Sequence, residues 1–73
     1  EMLLNERLMR LAISMYGYTK RIAAIRAMQS GVDALPIETA LLKVQELLRK
    51  VHDPLTWHED VAKRVEMMRV GQW

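Results

Sequence analysis

Between Leu4 and Ile25 the apolar residues Leu4, Leu8, Leu11, Met15, Tyr18, Ile22 and Ile25 succeed one another in alternating steps of four and three. This is a heptad seam sustained for more than three heptads, the pattern of a helix that packs against other helices along its whole length. Ser30-Gly31 supplies the glycine that ends a helix in the left-handed conformation, so the spacing predicts one helix over about 2–29. Such a helix has 28 residues from Met2 to Gln29 and is about 42 Å long at 1.5 Å per residue. A compact globule of 73 residues has a radius of gyration of about 11 Å and a diameter of about 29 Å. The remainder of the chain is therefore too small to enclose its first helix.

Two further helical stretches follow. Residues 30–35 form a short connector, Pro36 suits a first helical position, and Glu38 places a negative charge in the first turn. Ile37, Leu41, Val44, Leu48, Val51 and Leu55 repeat the four-three spacing, which predicts a second helix over about 36–52. Asp53-Pro54 breaks it, because a residue before proline is pushed away from helical angles. Asp53 can cap what comes next, and Thr56 with Glu59 has the competing spacing of a capping box. A third helix is expected over about 55–70, with Val61, Val65 and Met68 on one face and Gly71 beyond it. The expected fold is all-α: an elongated helical hairpin with a kinked second arm, held by coiled-coil packing, in a single segment over 1–73.

A second apolar line on the first helix, Met9, Ile13, Tyr16, Ala23 and Ala27, is displaced from the seam and interrupted by Lys20. A hairpin arm needs one apolar face, whereas a helix inside a multi-helix assembly needs two. Ala12, Ser14, Thr19 and Met28, which flank the seam, are uncharged and also suit packing. The flanking connector allows an antiparallel hairpin, but the second helix spans only about 25 Å of the first. Packing against other chains is expected, with homo-oligomers where the segment is isolated. The chain begins at Glu1 and reads as a segment of a longer protein.

Composition removes several classes of function. With no cysteine, disulfides, thiol catalysis, zinc-thiolate and iron-sulfur sites are excluded. No apolar run approaches the 18 or so residues that a membrane-spanning helix needs. The formal charge of +2 is unevenly spread. Arg7, Arg10, Lys20, Arg21 and Arg26 against Glu1 and Glu6 give the first helix a net +3, and the rest of the chain sums to −1. Only Arg7, Arg10 and Arg21 share a face, too few for the basic stripe of a nucleic-acid binder. Glu46 with Lys50, Glu59 with Lys63 and Asp60 with Arg64 have the four-residue spacing of exposed helical ion pairs.

Residues capable of acid-base or metal chemistry are sparse. His52-Asp53 and Trp57-His58-Glu59 place imidazoles beside carboxylates, but sequence neighbours on a helix point about 100° apart and do not converge. His52 reads as a helix C-terminal residue and His58 as a first-turn residue near Asp53. Neither a His-x-x-x-His zinc spacing, a phosphate-binding glycine loop nor a nucleophile elbow is present. No catalytic residue, metal or cofactor is expected. The six methionines, Met15 and Met68 in the seams and Met9 on the second line, read as a soft core or interface. Trp57 is expected over the junction of the second and third helices, and Trp73 to be frayed or held by a neighbour.

The order of these features resembles a known family. A heptad helix, the connector Ser30-Gly31-Val32-Asp33-Ala34-Leu35-Pro36, a helix with Leu41, Leu48, Arg49 and Lys50, the break at Asp53-Pro54 and then Arg64-Val65-Glu66-Met67-Met68-Arg69 are similar to the C-terminal coiled-coil segment of central-channel nucleoporins. The family is that of the vertebrate fifty-four and fungal fifty-seven kilodalton nucleoporins, and the likeness is strongest from Tyr18 to Arg69. Leu35, where a polar residue is usual, and Glu38, alone where several acids are usual, depart from the family pattern. The resemblance implies a structural role at the nuclear pore complex. It implies a parallel heterotrimeric coiled coil with two other FG nucleoporins, anchored to a scaffold nucleoporin, in the channel that carries protein and mRNA between nucleus and cytoplasm. The chain has no phenylalanine, hence no FG dipeptide, and would be the assembly part. By the same resemblance Leu8, Leu11, Met15, Tyr18, Ile22 and Ile25 would face partner helices or the hairpin arm. Ile37, Leu41, Val44, Leu48 and Val51 would oppose them, and Val61, Val65 and Met68 would complete the partner interface.

Two other classes compete. A small all-helical enzyme of the chorismate mutase type would need side chains such as Arg10, Arg21, Lys43 and Glu46 to converge on a dicarboxylate. A helix-turn-helix DNA binder would read with the third helix, which carries Glu59, Asp60 and Glu66 beside only three basic residues. Neither nucleic acid nor membrane is an expected partner.

Overall fold

The computed structural model describes residues 2–72, with Met2 described by its backbone alone. It contains α1 (Met2–Ser30), α2 (Ile37–Val51) and α3 (Trp57–Arg69) and, among the described residues, no strand. The expected all-α fold of three helices is what forms. The expectation for Trp73 lies outside the described residues.

Helix α1 has 29 residues and runs about 43 Å. Its end is set by Gly31 at φ 70°. The Gly31 N–H donates to the Met28 carbonyl at 3.2 Å and the Val32 N–H to the Ala27 carbonyl at 3.0 Å. This pair of bonds satisfies carbonyls that the last turn would otherwise leave open. The same device ends α3: Gly71 has φ 85°, and the Gly71 and Gln72 N–H groups donate to Met68 and Met67.

Pro36 stands one position outside α2 rather than inside it, extended at φ −60° and ψ 151°, and its carbonyl accepts the Ala40 N–H at 3.0 Å. His52, also extended, closes α2. At the break, the Asp53 side chain accepts the Leu55 N–H at 2.9 Å and the Asp53 carbonyl accepts those of Thr56 and Trp57. Thr56 takes the position before α3, but its side chain makes no cap bond, so the capping box does not form. Helix α3 begins two residues later than the expected 55, at the rival start that the Thr56 and Glu59 spacing offered.

The hairpin closes on a line other than the expected one. Among the described residues, Ala27, Thr19 and Ala40 are the buried ones, and Ala23, Leu35, Lys43, Val44 and Leu47 are half-buried. At 100° per residue, Thr19, Ala23 and Ala27 lie about 110° around α1 from the middle of the heptad seam. Of the residues expected to oppose one another across the hairpin, Val44 and Ile22 are half-buried, while Ile25, Ile37, Leu41, Leu48 and Val51 stay exposed. The reason is size. Alanines let two helix backbones approach closely and make many dispersion contacts while losing no rotamer freedom, and the bulkier Ile25 and Leu41 stay outside the contact.

Helix α3 does not pack on the hairpin. None of its Cα atoms comes within 8 Å of α1 or α2, and none of its residues is buried. It turns at the 53–56 joint and reaches toward the N-terminal half of α1. The molecule is accordingly extended, 48 × 31 × 16 Å with a radius of gyration of 15.7 Å, against about 11 Å for a compact chain of this length.

Candidate functional site

From Leu3 to Tyr16 every residue of α1 except the half-buried Arg7 is exposed. This half of the helix projects past α2 and carries apolar side chains on opposite sides. Leu8, Leu11, Met15, Tyr18 and Ile25 of the seam are 57–64% exposed, and Met9, Ile13 and Tyr16 of the second line are 54–64% exposed. A helix that is apolar on both sides belongs in the interior of a bundle. On α2, Leu41 and Leu48 are half exposed and Val51 is 76% exposed. Val61 and Val65 of α3 lie at the edge of exposure, and Met67 and Met68 are half-buried. Most of the residues expected to form the partner interface are thus brought to the surface, whereas Ile22, Val44 and Met68 are half-buried.

Two concavities result from the stance of α3. The larger is an open groove of ≈ 740 Å³ between the start of α1 and the end of α3, floored by Leu4, Leu8, Leu11 and Met68 and bordered by Arg7, Arg10 and Arg64. The sequence pattern contains the floor of this groove, but nothing in it announces Arg64 as part of the wall, because that depends on the direction α3 takes. The second, ≈ 640 Å³, lies in the elbow between α2 and α3 and includes Leu48, Val51, His52, Asp53, Trp57 and Asp60. There the His52 and Trp57 rings meet edge to face, with centroids 5.7 Å apart and planes at 71°. Trp57 therefore does sit at the junction, although 60% of it remains exposed.

Charged side chains on α1 lie along aromatic faces. Lys20 Nζ stands 4.6 Å from the Tyr16 ring centre and Arg21 Cζ 5.6 Å from that of Tyr18, contacts worth about 0.5–1 kcal/mol at exposed sites. On α2, Glu46 pairs with Lys50 at 3.9 Å and also with Lys43 at 3.5 Å. The expected Glu59–Lys63 and Asp60–Arg64 pairs do not close within 4 Å.

Among the described residues, no three His, Cys, Asp or Glu side chains gather closely enough to hold a metal ion, and no helix is long and apolar enough to cross a membrane. Of the side chains that a chorismate mutase site would need, Arg10 and Arg21 do not come together. Arg10 borders the groove, Arg21 lies eleven residues and about 16 Å further along α1, and Lys43 is paired with Glu46. What the geometry offers is an extended apolar surface with a basic border, suited to taking helices. Comparison with protein-family models, curated proteins and solved structures finds no match.

Proposed function

We propose that the chain is a noncatalytic helical assembly segment whose α1 seam packs against helices of partner chains. The observation that carries this is the amount of surface left open. A folded monomer of 8.5 kDa is expected to expose about 4,700 Å², whereas this chain exposes 6737 Å². The excess of about 2,000 Å² per chain is on the scale buried by obligate assemblies rather than by transient encounters. The open surface includes the two apolar lines of α1 and Leu41, Leu48 and Val51 of α2.

The resemblance to central-channel nucleoporins gives the reading its finer form. The segment would assemble with two other FG nucleoporins in a heterotrimeric coiled coil of the nuclear pore complex, anchored to a scaffold nucleoporin, and so support transport of protein and mRNA. The sustained heptad seam and the order of breaks at Ser30-Gly31 and Asp53-Pro54 support it. Mass in solution over a concentration series tests the general proposal, with reversible association expected and a cooperatively folded monomer at every concentration refuting it. Co-purification with the coiled-coil segments of the other two channel nucleoporins tests the finer form, with a stable one-to-one-to-one complex expected.

A further inference from the structure

We infer that the α1 seam is built for a helix of a different chain carrying acidic residues beside its own seam, in preference to a second copy of this chain. The inference rests on the assembly reading and adds the chemistry of the partner. In coiled-coil pairs the seam positions a and d supply burial, while the adjacent e and g positions select the partner through charge. With Leu8 at a, the g positions of α1 are Arg7, Ser14, Arg21 and Met28 and the e positions are Asn5, Ala12, Thr19 and Arg26. Three arginines and no carboxylate occupy them.

The tertiary structure repeats this bias. Among the described residues, every charged side chain bordering the ≈ 740 Å³ groove over Leu4, Leu8 and Leu11 is an arginine: Arg7, Arg10 and Arg64. Arg21 lies over Tyr18, which keeps its guanidinium at the margin of the seam. Glu6, the one acid among the described residues of α1, falls about 150° around the helix from the seam.

Two copies of α1 give these arginines no acid to meet in either orientation. Side by side in parallel, a g position meets the e position five residues on, which sets Arg21 against Arg26. Antiparallel and overlapped along the whole helix, g faces g and e faces e, so Arg7 meets Met28, Ser14 meets Arg21 and Asn5 meets Arg26. Isolated copies still associate, because each leaves about 2,000 Å² beyond the area of a compact monomer exposed, but they do so with no charge pairing across the seam. An acid-flanked helix buries the same floor and sets a carboxylate against each arginine.

The test uses the full 73-residue chain and two synthetic four-heptad peptides with Leu and Ile at a and d, one with Glu and the other with Lys at every e and g position. Fluorescence anisotropy at about 50 mM salt is expected to show the Glu peptide binding at least about tenfold more tightly, the preference shrinking at about 500 mM as screening shortens the reach of the charges. The triple variant R7E/R21E/R26E, with its helicity checked by circular dichroism, should reverse the order. Equal affinities for the two peptides on the unaltered chain, or a preference that ignores salt, overturn the inference about the partner while leaving assembly intact. Failure of both peptides to bind a chain that also stays monomeric overturns the assembly reading with it.

Discussion

The hydroxyl of Thr19 donates a 2.7 Å hydrogen bond to the carbonyl of Met15, one turn earlier on the same helix. Thr19 is buried in the hairpin beside a line of alanines, and this local bond is what lets a polar residue lie there without an orphaned donor. Its methyl group is left to pack, so Thr19→Val should lie within about 1 kcal/mol of the parent, since the variant removes donor and hydroxyl together. Ala27 and Ala40 behave oppositely. Ala27→Leu or Ala40→Leu forces a large side chain between closely spaced backbones and should cost about 1–3 kcal/mol. Urea unfolding at one fixed chain concentration measures all three.

These alanines also show which part of the fold can be read from the sequence. The seven apolar residues from Leu4 to Ile25 establish a long helix, and Gly31 establishes where it stops, because both depend on chain-local geometry. Which apolar line closes the hairpin is a competition between two faces of one helix, decided by how near the α2 backbone can come. Ala23 and Ala27 win it despite being less hydrophobic than Ile22 and Ile25. The bearing of α3 is still less legible. It follows from dihedral angles within the 53–56 joint, and Arg64 becomes part of the groove only through them. The exposed seam was readable because its residues are in the pattern, and the place of Arg64 in the groove wall was not because that place is tertiary.

Glycine substitutions should separate local backbone needs from packing. Gly17 lies within α1, and a Cβ built there meets nothing within 4 Å. Gly17→Ala should therefore stabilise the helix by about 0.5–1 kcal/mol. Gly31 has equal room around its Cβ position but sits at φ +70°. Gly31→Ala should destabilise by about 1 kcal/mol or more, through left-handed strain at the cap. Opposite signs for one chemical change, read by thermal unfolding, are the expected outcome.

The elbow between α2 and α3 is held by the His52–Trp57 ring contact and by bonds to Asp53, of which one reaches its side chain. Asp53 accepts the Leu55 N–H at 2.9 Å, and α3 has no buried residue to hold it otherwise. Asp53→Ala removes the acceptor and should lower the protection of α3 amides against hydrogen exchange, while α1 and α2 amides are unchanged. Asp53→Asn keeps an oxygen acceptor in the same place and should retain the protection. Loss of protection in both variants would mean that the carboxylate charge, not the turn bond, holds the joint.

Truncation of the seam provides the sharpest contrast with an ordinary core. A buried leucine changed to alanine costs about 2–5 kcal/mol wherever it is measured, because the cavity lies inside one molecule. Leu8 and Leu11 are instead 64% and 58% exposed in the single chain. In dilute solution Leu8→Ala and Leu11→Ala should change stability by less than about 0.5 kcal/mol, as surface changes usually do. At concentrations where chains associate, the same leucines are buried between molecules, and each truncation should lower the melting temperature and weaken association. The penalty therefore grows with chain concentration, a dependence that no intramolecular packing defect produces. Melting curves of the parent and the two variants over a hundredfold range of concentration reveal it. A loss of the same size at every concentration would place Leu8 and Leu11 inside the folded monomer and would contradict the open seam on which the assembly proposal stands.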